Sequence, residues 1–182
     1  MKVVEKRYTV EDYEKLPEGS PYQLIEGELV MSPASMPYHQ MVSGNIYVML
    51  RKNLGGKALV LYAPVDVYLS EDSVYQPDLV VLLSDSLKKL THRGVEGAPD
   101  IAVEILSVST AYYDLVGKKE AYERAGVKEY WIVDPLRRSF EVYQNTEEGF
   151  KLISKAKVKG KVRSGLLEFD MELSEVFEGV EL

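Results

Sequence analysis

Residues 100–134, DIAVEILSVSTAYYDLVGKKEAYERAGVKEYWIVD, predict a strand, a helix and a second strand in succession. The first strand, at 100–106, is apolar on both faces, which is typical of a central strand covered on two sides. Its interior nevertheless carries one acid, Glu104. The helix follows at about 111–125, and the second strand occupies 129–133. The stretch therefore predicts an α/β fold with a carboxylate inside its sheet.

One lysine lies on the apolar side of this helix. At 100° per residue, the apolar stripe consists of Ala111, Leu115, Lys118, Tyr122 and Ala125. Two interpretations of Lys118 remain open. Its side chain either snorkels out of an apolar groove and pairs with Asp114, four residues earlier, or it projects into a pocket bordered by the strand that carries Glu104.

A second acid, Asp78, follows a proline and precedes the apolar run at 79–83. Buried charges are costly unless they are paired or bound to a metal. Residues at neighbouring strand positions lie only ~5 Å apart across a ladder. Asp78 is therefore the best candidate to grip one divalent cation together with Glu104. The alternative for Asp78 alone is a turn-capping aspartate.

Three other acids give weaker signals. Asp100 shares a strand face with Glu104 but lies roughly 13 Å away along the strand, too far to share an ion. Asp100 and Asp134 are interpreted as turn residues at strand ends. Asp66 is either an exposed strand residue or an acid that orients the site residues without binding the metal itself.

The remaining chain alternates short strands and helices without a linker or an internal repeat. The predicted elements are a short helix capped by Thr9, a hairpin at 22–31, a helix at about 38–54, strands at about 57–69 and 78–83, an antiparallel pair at 139–144 and 150–157, a strand at 162–167 and a closing segment near 173–177. We expect a single α/β domain over residues 1–182 with a mixed sheet.

Composition limits the classes of function. The 182 residues contain no cysteine, which excludes disulfides, thiolate metal sites and cysteine nucleophiles. There is no apolar run long enough to span a membrane and no secretory signal at the start, so a cytoplasmic location is expected. Nucleotide-triphosphate, dinucleotide, zincin and α/β-hydrolase motifs are missing. The net charge of −7 counts against a broad nucleic-acid surface but allows a local basic rim.

Several motifs stand in a recognisable order along the chain. They are Glu26-Gly27, His39, Gln76-Pro77-Asp78, Gly97-Ala98-Pro99-Asp100, Glu104-Ile105-Leu106-Ser107, Asp114 with Lys118 and Tyr122, Gly126-Val127, and Glu129-Tyr130-Trp131-Ile132-Val133-Asp134-Pro135. From about Thr9 to Phe177 this order resembles the Uma-two family of bacterial endonucleases. The resemblance implies a PD-(D/E)XK restriction-endonuclease-like fold, in which a central mixed β-sheet is flanked by helices and extended by antiparallel strands.

The resemblance also implies roles for particular residues. Asp78 and Glu104 match the metal-binding acids, and the Ile105 carbonyl would complete the protein ligands of one Mg²⁺ or Mn²⁺. Leu106 occupies the position of the usual lysine, whose role passes to Lys118 on the following helix. The cation would polarise the scissile phosphate and lower the pKa of a bound water. Lys118 would orient that water or neutralise developing charge, so Lys118→Met is expected to abolish cleavage and leave the fold intact.

Gln23 stands where the family often has a glutamate in the first strand. Either Glu26 or Glu28 substitutes for it, or the site is one acid short.

His39, Asp114 and Tyr122 are accessory candidates. A lone histidine at a helix start is typical of a surface or cap position, whereas the resemblance favours the cleft for His39. Tyr122 is most simply a core aromatic, although it shares the helix face of Lys118.

The expected partner is double-stranded DNA, and cutting both strands with one site per chain indicates a two-fold homodimer. Two alternatives stay open. One is a catalytically silent nuclease-fold module for binding or assembly, which the acidic balance and Gln23 favour. The other is a metal-dependent hydrolase of another phosphodiester, such as a nucleotide.

Overall fold

The structure is a computed structural model that describes residues 7–32, 34–107 and 116–181. Its helices are α1 (Val10–Tyr13), α2 (Pro37–Leu54), α3 (Lys118–Ala125) and α4 (Leu173–Val176). Its strands are β1 (Tyr22–Ile25), β2 (Glu28–Met31), β3 (Ala58–Tyr62), β4 (Val67–Ser70), β5 (Ser73–Tyr75), β6 (Leu79–Leu83), β7 (Val95–Glu96), β8 (Ile101–Ile105), β9 (Glu129–Asp134), β10 (Ser139–Thr146), β11 (Gly149–Lys157), β12 (Lys161–Arg163) and β13 (Asp170–Glu172).

A six-stranded mixed sheet with the order β11-β10-β9-β8-β6-β3 forms the centre of the molecule. Only the β8–β9 pair is parallel, because α3 carries the chain back across the sheet between these two strands. The other pairs are antiparallel. The predicted mixed sheet flanked by helices is confirmed, and β8 is central as its two apolar faces indicated.

The alternation of residues along β8 and β6 divides the core into two parts. Val81, Ile101 and Val103 pack against α2 and the C-terminal helix α4. On the other face, Ala102 packs against α3, and Val80 packs against a second, five-stranded sheet of order β2-β1-β5-β4-β7. The central sheet is therefore buried on both sides, which explains its near-continuous apolar runs.

The second sheet corrects one prediction. The apolar stretch at 57–69 is not a single strand: β3 ends at Tyr62 in the central sheet, and β4 begins at Val67 in the second sheet. The Ala63-Pro64 bond between them is cis. Periodicity cannot reveal such a change of sheet, because both strands alternate in the same way.

The structure places α3 at Lys118–Ala125, inside the predicted helix, and Gly126 ends it in the left-handed conformation at φ 86°. The predicted start of the helix at 111–115, including Asp114, lies outside the described residues. No helix within the described ranges is long and apolar enough to cross a membrane.

Two buried acids connect segments that lie far apart in the sequence. Asp100 is 1% exposed, accepts a hydrogen bond from the Leu83 amide at 2.7 Å and pairs with Lys128 at 2.6 Å, so it is a buried anchor rather than a simple turn residue. Glu129 accepts hydrogen bonds from the Trp131 indole and from Ser164, Gly165 and Leu166. The predicted strand at 162–167 is therefore shorter, and its second half folds around Glu129.

Candidate active site

The ladder between β6 and β8 brings the two predicted acids together. Its register pairs Leu79 with Val103, and one further step outward sets Asp78 opposite Glu104. Asp78 is the residue that enters β6, while Glu104 lies near the end of β8. Opposite positions on neighbouring strands are about 5 Å apart, which is the separation expected for two carboxylates that share a cation.

The Asp78 carboxylate is fixed through one of its oxygens. Oδ2 accepts a hydrogen bond from the Ile105 amide at 2.7 Å and lies 3.1 Å from His39 Nε2. Asp78 therefore accepts a backbone hydrogen bond from β8 and also lines the cleft. No hydrogen bond to Asp78 Oδ1 is formed within the part of the chain that the structure describes.

His39 lies in the first turn of α2 and is 6% exposed. The interpretation of a surface histidine is therefore wrong, and the resemblance placed it correctly near the acids. Pro37 occupies the first turn of the helix, where its missing amide is tolerated, so α2 can begin directly beside Asp78.

Glu104 and Lys118 form a buried ion pair. Lys118 Nζ donates to Glu104 Oε2 at 2.8 Å, and the Tyr122 hydroxyl donates to Oε1 at 2.7 Å. Glu104 is 2% exposed, Lys118 5% and Tyr122 0%. One turn of α3 separates Lys118 from Tyr122, so both side chains reach the same carboxylate. The structure thus favours the pocket interpretation of Lys118.

These groups line a single open cleft of about 1310 Å³ between the end of the central sheet and the second sheet. Asp78, Glu104, Lys118 and His39 form one part of its wall. The volume exceeds the range of roughly 300–1,000 Å³ that is common for small-molecule pockets.

Gln23 lines the cleft wall, and both ends of its side-chain amide form hydrogen bonds. Its Oε1 accepts from the Gln76 backbone amide at 2.8 Å, and its Nε2 donates to Ser32 Oγ at 2.7 Å. Gln23 therefore holds the segment that leads into Pro77 and Asp78. Both of its contacts can also be made by a carboxylate, since a serine hydroxyl is both donor and acceptor.

Glu26 and Glu28 lie at the turn between β1 and β2 and are not among the described residues that line the cleft. Glu26 pairs instead with Arg124 at the last turn of α3. The structure does not bring either glutamate to the position left by Gln23.

The opposite wall contains a polar cluster that sequence reasoning assigned only in part. Asp66 Oδ1 accepts from the Tyr13 hydroxyl at 3.0 Å and from Gln76 Nε2 at 2.8 Å. Burial and the neighbouring Asp66 raise the pKa of Tyr13, so its hydroxyl stays protonated. Asp66 therefore supports the cleft wall. Gln76 was visible only as the residue before Pro77-Asp78, and Tyr13 gave no signal beyond its helical position.

The donor set limits the kind of metal ion that can bind. No group of three or more histidine or acidic side chains with metal-binding geometry occurs within the described ranges. Two carboxylates do not form the oxygen cage that Ca²⁺ prefers, but they fit Mg²⁺, which keeps several waters and takes one or two carboxylates. Asp78 and Glu104 are therefore compatible with a hydrated Mg²⁺ or Mn²⁺ ion.

The mixed sheet, with its acids at the end of two neighbouring strands, defines a restriction-endonuclease-like fold. A crystal structure described as a "putative nuclease belonging to DUF820" from Anabaena variabilis ATCC 29413 matches with a TM-score of 0.77 over 93% of this chain and 97% of that one. Its sequence identity is 18%, so this likeness concerns the fold alone.

The family model of Uma2, described as "Putative restriction endonuclease", matches residues 10–174. The chain therefore belongs to the Uma2 (Uma-two) family, which confirms the resemblance, and the family description indicates a nuclease. No curated protein sequence matches this chain.

Proposed function

We propose that this chain is a metal-dependent endonuclease that hydrolyses phosphodiester bonds of double-stranded DNA. The observation that carries the proposal is the convergence of Asp78, Glu104 and Lys118 in one cleft. Asp78 and Glu104 come from adjacent strands, and Lys118 reaches Glu104 from the following helix. This arrangement supports a PD-(D/E)XK-type mechanism in which the lysine comes from the helix instead of the strand.

Asp78 and Glu104 would hold Mg²⁺ or Mn²⁺, which supplies a Lewis acid for the phosphate and a more acidic water. The Ile105 amide donates to Asp78, and the N–H and C=O of a strand residue point to the same side. The Ile105 carbonyl therefore faces the same space and is the third proposed ligand.

The remaining side chains orient the two acids and face the proposed site of the scissile phosphate. His39 holds Asp78 through Oδ2, so Oδ1 is the oxygen proposed to bind the cation. Tyr122 orients Glu104, and Lys118 is positioned to hold the attacking water or to offset negative charge on the phosphate in the transition state. Cutting both strands of a duplex requires a second site, so we also propose a two-fold homodimer.

The test is cleavage of supercoiled plasmid with Mg²⁺ or Mn²⁺ by the wild type, by Lys118→Met and by Lys119→Met. Lys119 is the matched control, because its ammonium lies 3.6 Å from the Tyr143 ring centre and outside the cleft wall. We expect nicking that is lost with EDTA and with Lys118→Met but kept with Lys119→Met. Full nicking by Lys118→Met would refute the assigned role.

A catalytically silent binding module is the second candidate. The observation that favours it is the engagement of both Glu104 oxygens by Lys118 and Tyr122, together with an amide at position 23. Calorimetry with Mn²⁺ separates the two candidates. A nuclease should bind Mn²⁺ and lose that binding in Asp78→Ala, whereas a silent module should show no heat of binding in either protein.

A further inference from the structure

Positive charge is concentrated in one short part of the chain. Residues 149–167 hold six of the 22 lysines and arginines and none of the 29 acidic residues. Within this segment, β11 is the edge strand of the central sheet, and β12 pairs with β13 in a separate two-stranded sheet. The remainder of the chain holds the other 16 lysines and arginines and all 29 acidic residues.

Most of these cations already have an acidic neighbour. Lys151 pairs with Glu148, Lys155 pairs with Glu141, and Asp170 receives both Lys161 and Arg163.

Lys157 and Lys159 differ, because neither forms an ion pair with any residue in the described part of the chain, and both are exposed. We call these two residues the basic pair.

The backbone presents the basic pair in a fixed way. Val158, between the two lysines, has φ 67°, and its amide donates to the Arg138 carbonyl at 2.8 Å. The Lys159 amide donates to the Lys157 carbonyl at 2.8 Å, which closes a tight turn. Two cations held on one short turn can contact neighbouring phosphates of a strand with little loss of backbone entropy.

The ladder places the basic pair at the same end of the sheet as the acids. Ile105 pairs with Val133, Val133 with Phe140, and Phe140 with Ala156, directly before Lys157. Three strand spacings separate β8 from β11, which is about 14 Å. At 3.4 Å per nucleotide along one strand, this corresponds to about four nucleotides.

Lys157 also lies on the same face of the sheet as Glu104. A hollow of about 150 Å³ is lined by Leu106, Ile132, Lys155 and Lys157, among others. Leu106 is two residues after Glu104 and therefore lies on the same face of β8. Lys157 therefore lies on the same side of the sheet as Glu104. The two acids that also line this hollow, Asp134 and Glu141, are paired with Arg137 and Lys155.

We propose that Lys157 and Lys159 dock the phosphate backbone of DNA several nucleotides from the bond that is cut at Asp78 and Glu104. This inference rests on the proposed nuclease function. The basic pair would supply the local positive surface for DNA that the negative net charge of the chain does not indicate. The contacts are to phosphates and carry no sequence preference, so they position the duplex without selecting a sequence.

The binding test uses the full chain, a fluorescent DNA duplex and EDTA, so that docking is measured without cleavage. Anisotropy is recorded between about 50 and 200 mM salt, where phosphate contacts determine the slope of log K against log salt. For Lys157→Gln/Lys159→Gln we expect the slope to fall in magnitude by about 2, one for each lysine. Affinity at the lowest salt should fall by about tenfold or more.

The matched control is Lys52→Gln/Lys57→Gln, which removes the same charge. Both lysines are exposed: Lys52 lies in the last turn of α2, and Lys57 directly precedes β3, at the opposite end of the sheet from Asp78. Their replacement should leave the slope within about 0.5 of the wild type, whereas loss of two phosphate contacts changes it by about 2. Equal slopes for the two double variants would overturn the docking surface, as would a wild type that binds no DNA.

Binding and cleavage together distinguish this inference from the proposed function. Plasmid nicking that depends on Lys118, with unchanged binding in the basic-pair variant, would leave the nuclease and remove the docking surface. Binding that depends on the basic pair, without nicking by the wild type, would leave the docking surface and remove the nuclease. Preferential binding of vesicles with anionic lipids over DNA, lost in the same variant, would assign the surface to a membrane and overturn the inference.

Discussion

Removal of one partner of the Glu104–Lys118 pair should destabilise the protein much more than removal of both. Lys118→Met leaves the Glu104 carboxylate in an interior where it is 2% exposed, without the ammonium that lies 2.8 Å away in the wild type. Glu104→Gln leaves the Lys118 ammonium in the same interior. The double variant Glu104→Gln/Lys118→Met removes both charges and keeps nearly the same side-chain volume.

The burial of the Glu104–Lys118 pair determines how much unfolding free energy each variant should lose. Breaking a buried ion pair by removing one partner costs about 3–5 kcal/mol, whereas replacing both partners with neutral groups is often neutral or stabilising by about 1–4 kcal/mol. A domain of this kind has roughly 5–15 kcal/mol of total stability, so each single variant should still fold at low temperature. Lys118→Met is therefore still expected to fold, but with a lower unfolding free energy than the wild type.

Urea unfolding followed by Trp131 fluorescence measures these differences. With a slope near 2 kcal/mol per M, the single variants should lose roughly 1.5–2.5 M in midpoint, and the double variant should recover to within about 0.5 M of the wild type. All three variants should lack nuclease activity, which separates the stability effect from the catalytic one. A Lys118→Met variant that is as stable as the wild type would refute the reasoning.

Three further predictions concern Tyr122, Gln23 and Asp100. Tyr122→Phe removes a buried hydroxyl that donates to Glu104, so we expect a loss of about 1.5–3 kcal/mol in urea unfolding and a lower cleavage rate at unchanged DNA affinity. Gln23→Glu adds a third acid to the cleft wall while keeping its contacts to Gln76 and Ser32, so calorimetry should show tighter Mn²⁺ binding; equal affinity would contradict a metal site beside Gln23. Burial raises the pKa of Asp100, but Lys128 and the Leu83 amide outweigh this and hold it below its usual value. Its stabilisation is therefore present above about pH 4 and lost as the pH falls. Asp100→Asn should accordingly lower stability at pH 7 and flatten the loss between pH 5 and pH 3 in urea unfolding.

The sequence was informative wherever a residue contradicted its local pattern. An acid in the apolar run of β8 and a lysine in the apolar stripe of α3 are costly positions, so each required a partner. Lys118 forms an ion pair with Glu104 in the pocket wall. Strand alternation and helical spacing were sufficient here, because both signals are local.

Other features depended on contacts between distant segments. The division of the stretch at 57–69 between two sheets could not be read from periodicity, which is the same in both sheets. The roles of Asp100 and Glu129 also escaped prediction, because an acid at a strand end resembles a turn residue until its donors are known. Three donors of Glu129 come from residues 164–166, more than thirty positions away in the chain, in addition to the nearby Trp131 indole.

Four of the six cations in residues 149–167 are paired with Glu148, Glu141 or Asp170, whereas the basic pair has no ion-pair partner in the described part of the chain. Long-range attraction for a polyanion is therefore concentrated at the one turn that carries Lys157 and Lys159. Under the proposed docking, this turn would attract the phosphate backbone before any contact is made. A protein with a net charge of −7 would then meet DNA in one preferred orientation.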